Sequence, residues 1–157
     1  MCYTITEDFQ SSVVGSSRML PWPIVKKVID ECAEIGVYSI LFSWRGESSL
    51  YRYKNDDGSI IDFCDVIKYA VDKGILEVTS LTHGQNFTDD FCKKLVSAQP
   101  NWVSFSIDGY GELNNYIRSN SNWNAVDKNL KNLMKSKFSV GVHPTVCIYN
   151  ILHITEL

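Results

Sequence analysis

Four polar clusters in this 157-residue chain each stand directly after an apolar run. Ile40 to Leu50 (ILFSWRGESSL) breaks into Arg45-Gly46-Glu47-Ser48, and Leu76 to Thr82 (LEVTSLT) runs into His83-Gly84-Gln85. Trp102 to Ile107 (WVSFSI) meets Asp108-Gly109, and Ser139 to Cys147 meets Ile148-Tyr149-Asn150. A buried strand followed at once by glycine and charge reads as the C-terminal mouth of a parallel strand, where α/β folds place their chemistry. A glycine there admits close backbone approach, and a carboxylate beside carbonyls accepts from an ammonium group. Ser106 and Asp108 are two apart and share a face. Each cluster also has a plainer reading: Glu47 as an ion pair with Arg45 or Arg52, Asp108-Gly109 as a chain reversal, Arg118 as helix solvation.

The elements that must position these residues alternate regularly. Tyr3 to Leu20 is polar, Ser-rich and without period, so it reads as a loop. Pro21 and Pro23 open a helix whose apolar face is Ile24, Val25, Val28, Ile29, Cys32 and Ile35, closed by Gly36. Val37 to Ser43 is a strand. Asn55-Asp56-Asp57-Gly58 is a surface turn, and Ile60 to Lys73 patterns as a helix with Gly74 as its C-cap. Thr88 N-caps a helix to about Ala98, with Asp89 and Asp90 at its positive end. Asn114 to Arg118 and Asn122 to Lys137 are further helical stretches, and Asn150 to Leu157 opens another. Pro144 marks the last strand as an edge or a bulge.

This alternation predicts an α/β fold with right-handed crossovers, a parallel sheet and helices on its outer face. Length allows one domain, residues 1–157. The first helix has no strand before it and the last has barely begun. The expectation is an incomplete core open at both outer strands.

Composition is that of a soluble globular chain, with 45% apolar and 21% charged residues and a formal net charge of -3. No basic cluster exceeds a pair such as Lys26-Lys27, so no phosphate-driven nucleic-acid partner is expected. No apolar run approaches the roughly 20 residues that span a bilayer, and the N-terminus lacks a signal pattern, so a cytoplasmic protein is expected. Five cysteines include no C-x-x-C. Cys32, Cys64 and Cys92 fall in helical patterns as small buried hydrophobes; Cys147 faces core or rim. His83, His143 and His153 have no partner at metal-ligand spacing.

The chain resembles the core of radical S-adenosylmethionine (SAM) enzymes, a partial (β/α) barrel. Trp44-Arg45-Gly46-Glu47-Ser48 resembles that family's G-G-E-P, with Arg45 for a glycine and Ser48 for the proline. Thr82-His83-Gly84 resembles T-N-G. Ser104 to Gly109 with Tyr116-Ile117-Arg118 resembles V-S-I-D-G and the following I-R, and Asn150 resembles the residue that opens the helix after the fifth strand. Met1-Cys2-Tyr3 resembles the end of the family's C-x-x-x-C-x-x-C loop.

The resemblance implies a fragment lacking the first strand and the last barrel unit, with Cys2 as the one remaining ligand of a 4Fe-4S cluster. It implies that SAM is cleaved after one-electron reduction by an electron donor protein. The resulting 5'-deoxyadenosyl radical would abstract hydrogen from an unidentified substrate: a peptide, a sugar, a nucleotide or another protein. Gly46 and Glu47 would hold the amino group of SAM, Ser106 and Asp108 its ribose, and Arg118 its carboxylate. No catalytic side chain is singled out. Two other readings stay open: a non-catalytic fragment or decayed copy of the fold, and an unrelated partial barrel binding a sugar or phosphate. The chain has neither G-x-G-x-x-G nor a P-loop, and Cys2 read plainly is an incidental terminal thiol.

Overall fold

The structure, a computed structural model, describes Glu7 and residues 19–43 and 46–156. Helix α1 spans Trp22–Glu34, with Pro21 at its N-cap and Pro23 in its first turn. There a missing N–H leaves no bond unmade. Gly36, at φ 75°, ends it. Strand β1 follows at Ser39–Phe42, then a short 3-10 turn at Ser48–Leu50.

The next segment departs from the expected pattern. Arg52–Lys54 (β2) and Ile60–Asp62 (β3) form an antiparallel hairpin around the 55–59 turn. Ile60 and Ile61 are therefore strand residues, not the first turn of a helix. Helix α2 begins at Phe63 and runs to Asp72. The reason is local: Asp62 accepts from Cys64 N (2.9 Å) and Asp65 N (3.3 Å), while Asp65 accepts from Asp62 N (2.8 Å). This reciprocal capping box fixes the helix start two residues beyond the isoleucines. Lys94 adds an ion pair to Asp62 at 2.8 Å.

Strand β4 is Glu77–Thr82, α3 is Asp89–Ala98 with the Thr88 hydroxyl on Phe91 N, and β5 is Trp102–Phe105. Helices α4 (Glu112–Ile117) and α5 (Trp123–Leu133) precede β6, Ser139–Val142. Two expected elements are shorter than the sequence suggested. Helix α5 stops at Leu133 rather than Lys137. Residues 150–153 form turns before a 3-10 turn at Ile154–Glu156, in place of a helix opened by Asn150. Asn150 spends its side chain on loop backbone, which a helix start would not allow.

The four-stranded sheet has the order β1-β4-β5-β6, parallel throughout. Sheet order equals chain order, the arrangement of an open, singly wound barrel segment. Both outer strands are edges among the described residues, as Pro144 just beyond β6 suggested.

Alternation gives the sheet two unlike faces. Ile40, Phe42, Val78, Val103, Phe105 and Val142 pack with Ile29, Ile67, Leu95 and Leu133 of the helices in one core. The opposite face carries Leu41, Thr79, Leu81, Trp102, Ser104 and Gly141. There Leu41 and Trp102 stay 58% and 48% exposed. No helix among the described residues is long and apolar enough to cross a membrane.

Helices α1 and α2 are clasped at Asp30. It takes Lys26 at 2.8 Å, Lys73 at 2.6 Å and the Tyr69 hydroxyl at 2.6 Å, with both ammonium groups 5.1–5.2 Å from the Tyr69 ring centroid. The hydrogen bond from Lys26, with those from Lys73 and Tyr69, holds the Asp30 carboxyl well below its ordinary value of 3.8. A carboxyl depressed on folding stabilises above that value and loses its contribution as pH falls through the folded value. Asp30→Asn is therefore expected to lower stability at neutral pH. The gap to wild type should close in acid, below 3.8, when urea unfolding is followed against pH.

Candidate functional site

The C-terminal ends of the four parallel strands carry two hydrogen-bonded clusters. The first closes β1 against β4. Glu47 stands just after Gly46, which turns at φ 77°, and its side chain reaches sideways to the next strand. One carboxylate oxygen accepts from the Thr82 hydroxyl (2.6 Å) and from the hydroxyl and N–H of Ser49. The other accepts from His83 N (2.8 Å). His83 Nε2 lies 3.6 Å from that second oxygen. Its Nδ1 accepts from Gln85 N at 3.1 Å, so the neutral ring carries its proton on Nε2, facing Glu47.

The turn after β4 is gripped from its other side too. Gly84 sits at φ 71°, and a side chain there would fall on the Phe105 ring. Its N–H donates to Thr82 Oγ1 (3.0 Å), and its carbonyl accepts from Asn129 Nδ2 of α5 at 2.8 Å. Asn129 is 2% exposed, and its Oδ1 has no partner among the described residues.

The second cluster closes β5 against the loop after β6. Asp108 is 4% exposed. Its Oδ2 takes Arg118 Nη1 and its Oδ1 takes Thr145 N, both at 2.7 Å. Asn114 Oδ1 accepts from Asp108 N (2.9 Å) and Asn150 Nδ2 donates to Asp108 O (2.8 Å) and to Thr145 O (2.9 Å). Asn114 and Asn150 are fully buried. The clusters meet through the sheet, since Ser106 N donates to Thr82 O at 2.8 Å.

Gly46, Glu47, Ser106 and Asp108 follow the ends of β1 and β5, and Arg118, at the C-cap of α4, joins them through its bond to Asp108. Their side chains are not equally available. Glu47 and Asp108 have both oxygens engaged inside the protein. Among the described residues the Ser106 hydroxyl has no bonding partner, and Arg118 uses one nitrogen on Asp108 and has no second side-chain partner. Cys2, Trp44 and Arg45 lie outside the described residues. Thr82, Asn114 and Asn129 are the rim-building residues that sequence reasoning passed over. Buried amides have no periodicity to betray them, although Thr82 stands inside the T-H-G triplet already singled out.

A family model described as the Radical SAM superfamily matches residues 1–156. The chain belongs to the radical SAM superfamily. No curated protein matches it. Radical SAM enzymes in general use a 4Fe-4S cluster and SAM, and the four-stranded parallel α/β sheet is consistent with that fold. The described part of this radical SAM chain contains no group of three or more residues able to hold a metal. Burial pushes the Cys64 thiol up to about 12 and raises that of Cys92 as well, so in the protein as described both are protonated core residues.

Glu47 makes a graded test of the first cluster. Glu47→Ala strands the Thr82 hydroxyl, on a residue 3% exposed, and the His83 N–H. The expected loss is about 2–3 kcal/mol in urea unfolding. Glu47→Gln keeps an acceptor for His83 N and donates to the two hydroxyls, giving up the 3.3 Å bond from Ser49 N, so it should cost about 1 kcal/mol, less than Glu47→Ala. Equal losses for the two variants would remove the network.

Proposed function

We propose that this chain is the SAM-binding core of a radical SAM enzyme, with the rim at the strand ends as the cosubstrate site. One observation carries the reading: Arg118 is held on that rim by one nitrogen, and the remainder of its fork, without a further partner among the described residues, suits a carboxylate. A guanidinium meets a carboxylate through two parallel bonds. The Ser106 hydroxyl, uncommitted on the same rim, suits a ribose hydroxyl as donor or acceptor. The carbonyl of Gly46, at a glycine that turns with φ 77° just before Glu47, suits the ammonium group. Glu47 then serves that corner by shaping the backbone, since its carboxylate is spent on Thr82, Ser49 and His83.

In the superfamily, SAM reduced at the cluster supplies a 5'-deoxyadenosyl radical that takes hydrogen from a substrate, and the protein supplies binding, orientation and exclusion of water. Cys2 is the one thiolate of this chain placed by its motif to join a cluster. An electron donor protein and a substrate, a peptide, a sugar or other, complete the reading, with a cytoplasmic setting. No nucleic-acid partner is proposed.

A second reading, a non-catalytic copy of the fold, draws on a different observation: both rim carboxylates are engaged within the protein. Anaerobic reconstitution of the full protein with iron and sulfide separates the two. The enzyme reading expects a brown protein that, on reduction, turns SAM into methionine and 5'-deoxyadenosine, and expects Cys2→Ala to abolish both. A colourless protein, or a Cys2→Ala variant with full colour and turnover, would overturn it.

A further inference from the structure

We infer that Asp108 is a positioning residue and not a ribose ligand: its buried carboxylate is the internal counter-ion that aims Arg118 at the carboxylate end of SAM. The inference rests on the proposed cosubstrate site and assigns Asp108 a different task within it. Each oxygen of Asp108 already takes a donor from within the protein. Oδ2 takes Arg118 Nη1 and Oδ1 takes Thr145 N, each at 2.7 Å, and the residue is 4% exposed. The acceptor capacity left on the two oxygens lies beneath the surface, with the side chain 6% exposed, so a ribose hydroxyl on the rim meets the Arg118 guanidinium before it meets this carboxylate.

The pair is also unequally exposed, with the Asp108 side chain at 6% and that of Arg118 at 32%. The anion is therefore the fixed end and the guanidinium the presented end. A long arginine would otherwise sample many rotamers at the rim, and ordering it would weaken binding. Here that ordering is made in advance by a charge-assisted bond. Asp108 is itself held on its main chain, at N by Asn114 and at O by Asn150. A set of buried amides thus defines where Arg118 points.

Asp108→Asn keeps the shape but leaves one amide oxygen for two donors, and turns an N–H₂ toward the donor that is left over. Two probes tell the roles apart. S-adenosylhomocysteine and 5'-methylthioadenosine share adenine and ribose, and only the first has the amino-acid carboxylate. Calorimetric titration of the full protein is expected to show D108N weakening S-adenosylhomocysteine by about tenfold or more, with 5'-methylthioadenosine within about twofold of wild type. The R118Q variant should show the same selectivity, and the D108N/R118Q double variant should bind S-adenosylhomocysteine no more weakly than R118Q alone.

Parallel losses for both probes would make Asp108 a ribose contact, and multiplying losses in the double variant would make it independent of Arg118. Either result overturns the inference while leaving the cosubstrate site in place. Should D108N fail to fold, a crystal structure of the wild-type protein with S-adenosylhomocysteine decides. The inference expects the Asp108–Arg118 bond to be kept, and Asp108 within hydrogen-bond distance of a ribose hydroxyl overturns it. A wild-type protein that binds no S-adenosylhomocysteine overturns the proposed function itself.

Discussion

Parallel strands must leave their sheet, and every N–H released at the exit has to find an acceptor before the chain turns back into a helix. In this protein side-chain oxygens take up much of that demand. Glu47 accepts from His83 N and Ser49 N, Asp108 from Thr145 N, Asn114 from Asp108 N, and Asn150 from Cys147 N. The two acids are most effective because each also meets a side-chain donor, Thr82 in one case and Arg118 in the other. A carboxylate accepting several bonds in a water-poor setting is far more directional than the apolar packing beneath it. The rim geometry therefore follows from hydrogen bonding, while the helix layer follows from burial.

That division decides which groups remain for a ligand. Residues spent on backbone hold the rim still, and in the proposed site the groups left for a ligand are those without another partner among the described residues: the Ser106 hydroxyl and the rest of the Arg118 fork. A site built this way has its orienting charges fixed before a ligand arrives, so less ordering remains to be made on binding. The same logic accounts for Ser48 at a position where the family pattern has proline. The turn is stabilised by the reach of Glu47 to Thr82 and Ser49, and does not depend on proline's fixed φ.

Much of the fold could be read from the chain because its signals were local and strong. The extent of α1, the prolines at its start, Gly36 and Gly74 at helix ends and Thr88 as a cap all appear where they were expected, but the apolar face of α1 is only half covered: Val25, Ile29 and Cys32 pack on the core while Ile24, Val28 and Ile35 are exposed. The hairpin was hidden because Ile60 and Ile61 complete a helical apolar pattern as readily as they alternate in a short strand. Asp62 and Asp65 decide between the two by capping, a signal carried by two residues against seven. The rim was legible as a set of strand ends and illegible in its detail. Sequence spacing tells which residues share an edge, but not which of them already have partners. Glu47 and Asp108 looked like open ligands for that reason, and the asparagines that hold the second cluster looked like ordinary helix starts.

The turn at Thr82-His83-Gly84 shows how far this sharing extends. Gly84 is forced by two separate demands, a positive φ and the flat contact with Phe105, so no side chain fits there. Its carbonyl then points to Asn129 of α5 while the preceding N–H points to Glu47. One peptide segment is pinned between the β1 exit and a helix that lies beyond β5 in the chain. His83 stands inside this grip, where the family pattern has asparagine, with one nitrogen accepting from Gln85 and the other facing Glu47. An imidazole can satisfy both neighbours only as the Nε2–H tautomer, because a proton on Nδ1 would oppose the Gln85 N–H. The substitution is accommodated by that tautomer, while the His83 backbone N–H, 2.8 Å from Glu47, ties the β4 exit to the same carboxylate that closes β1.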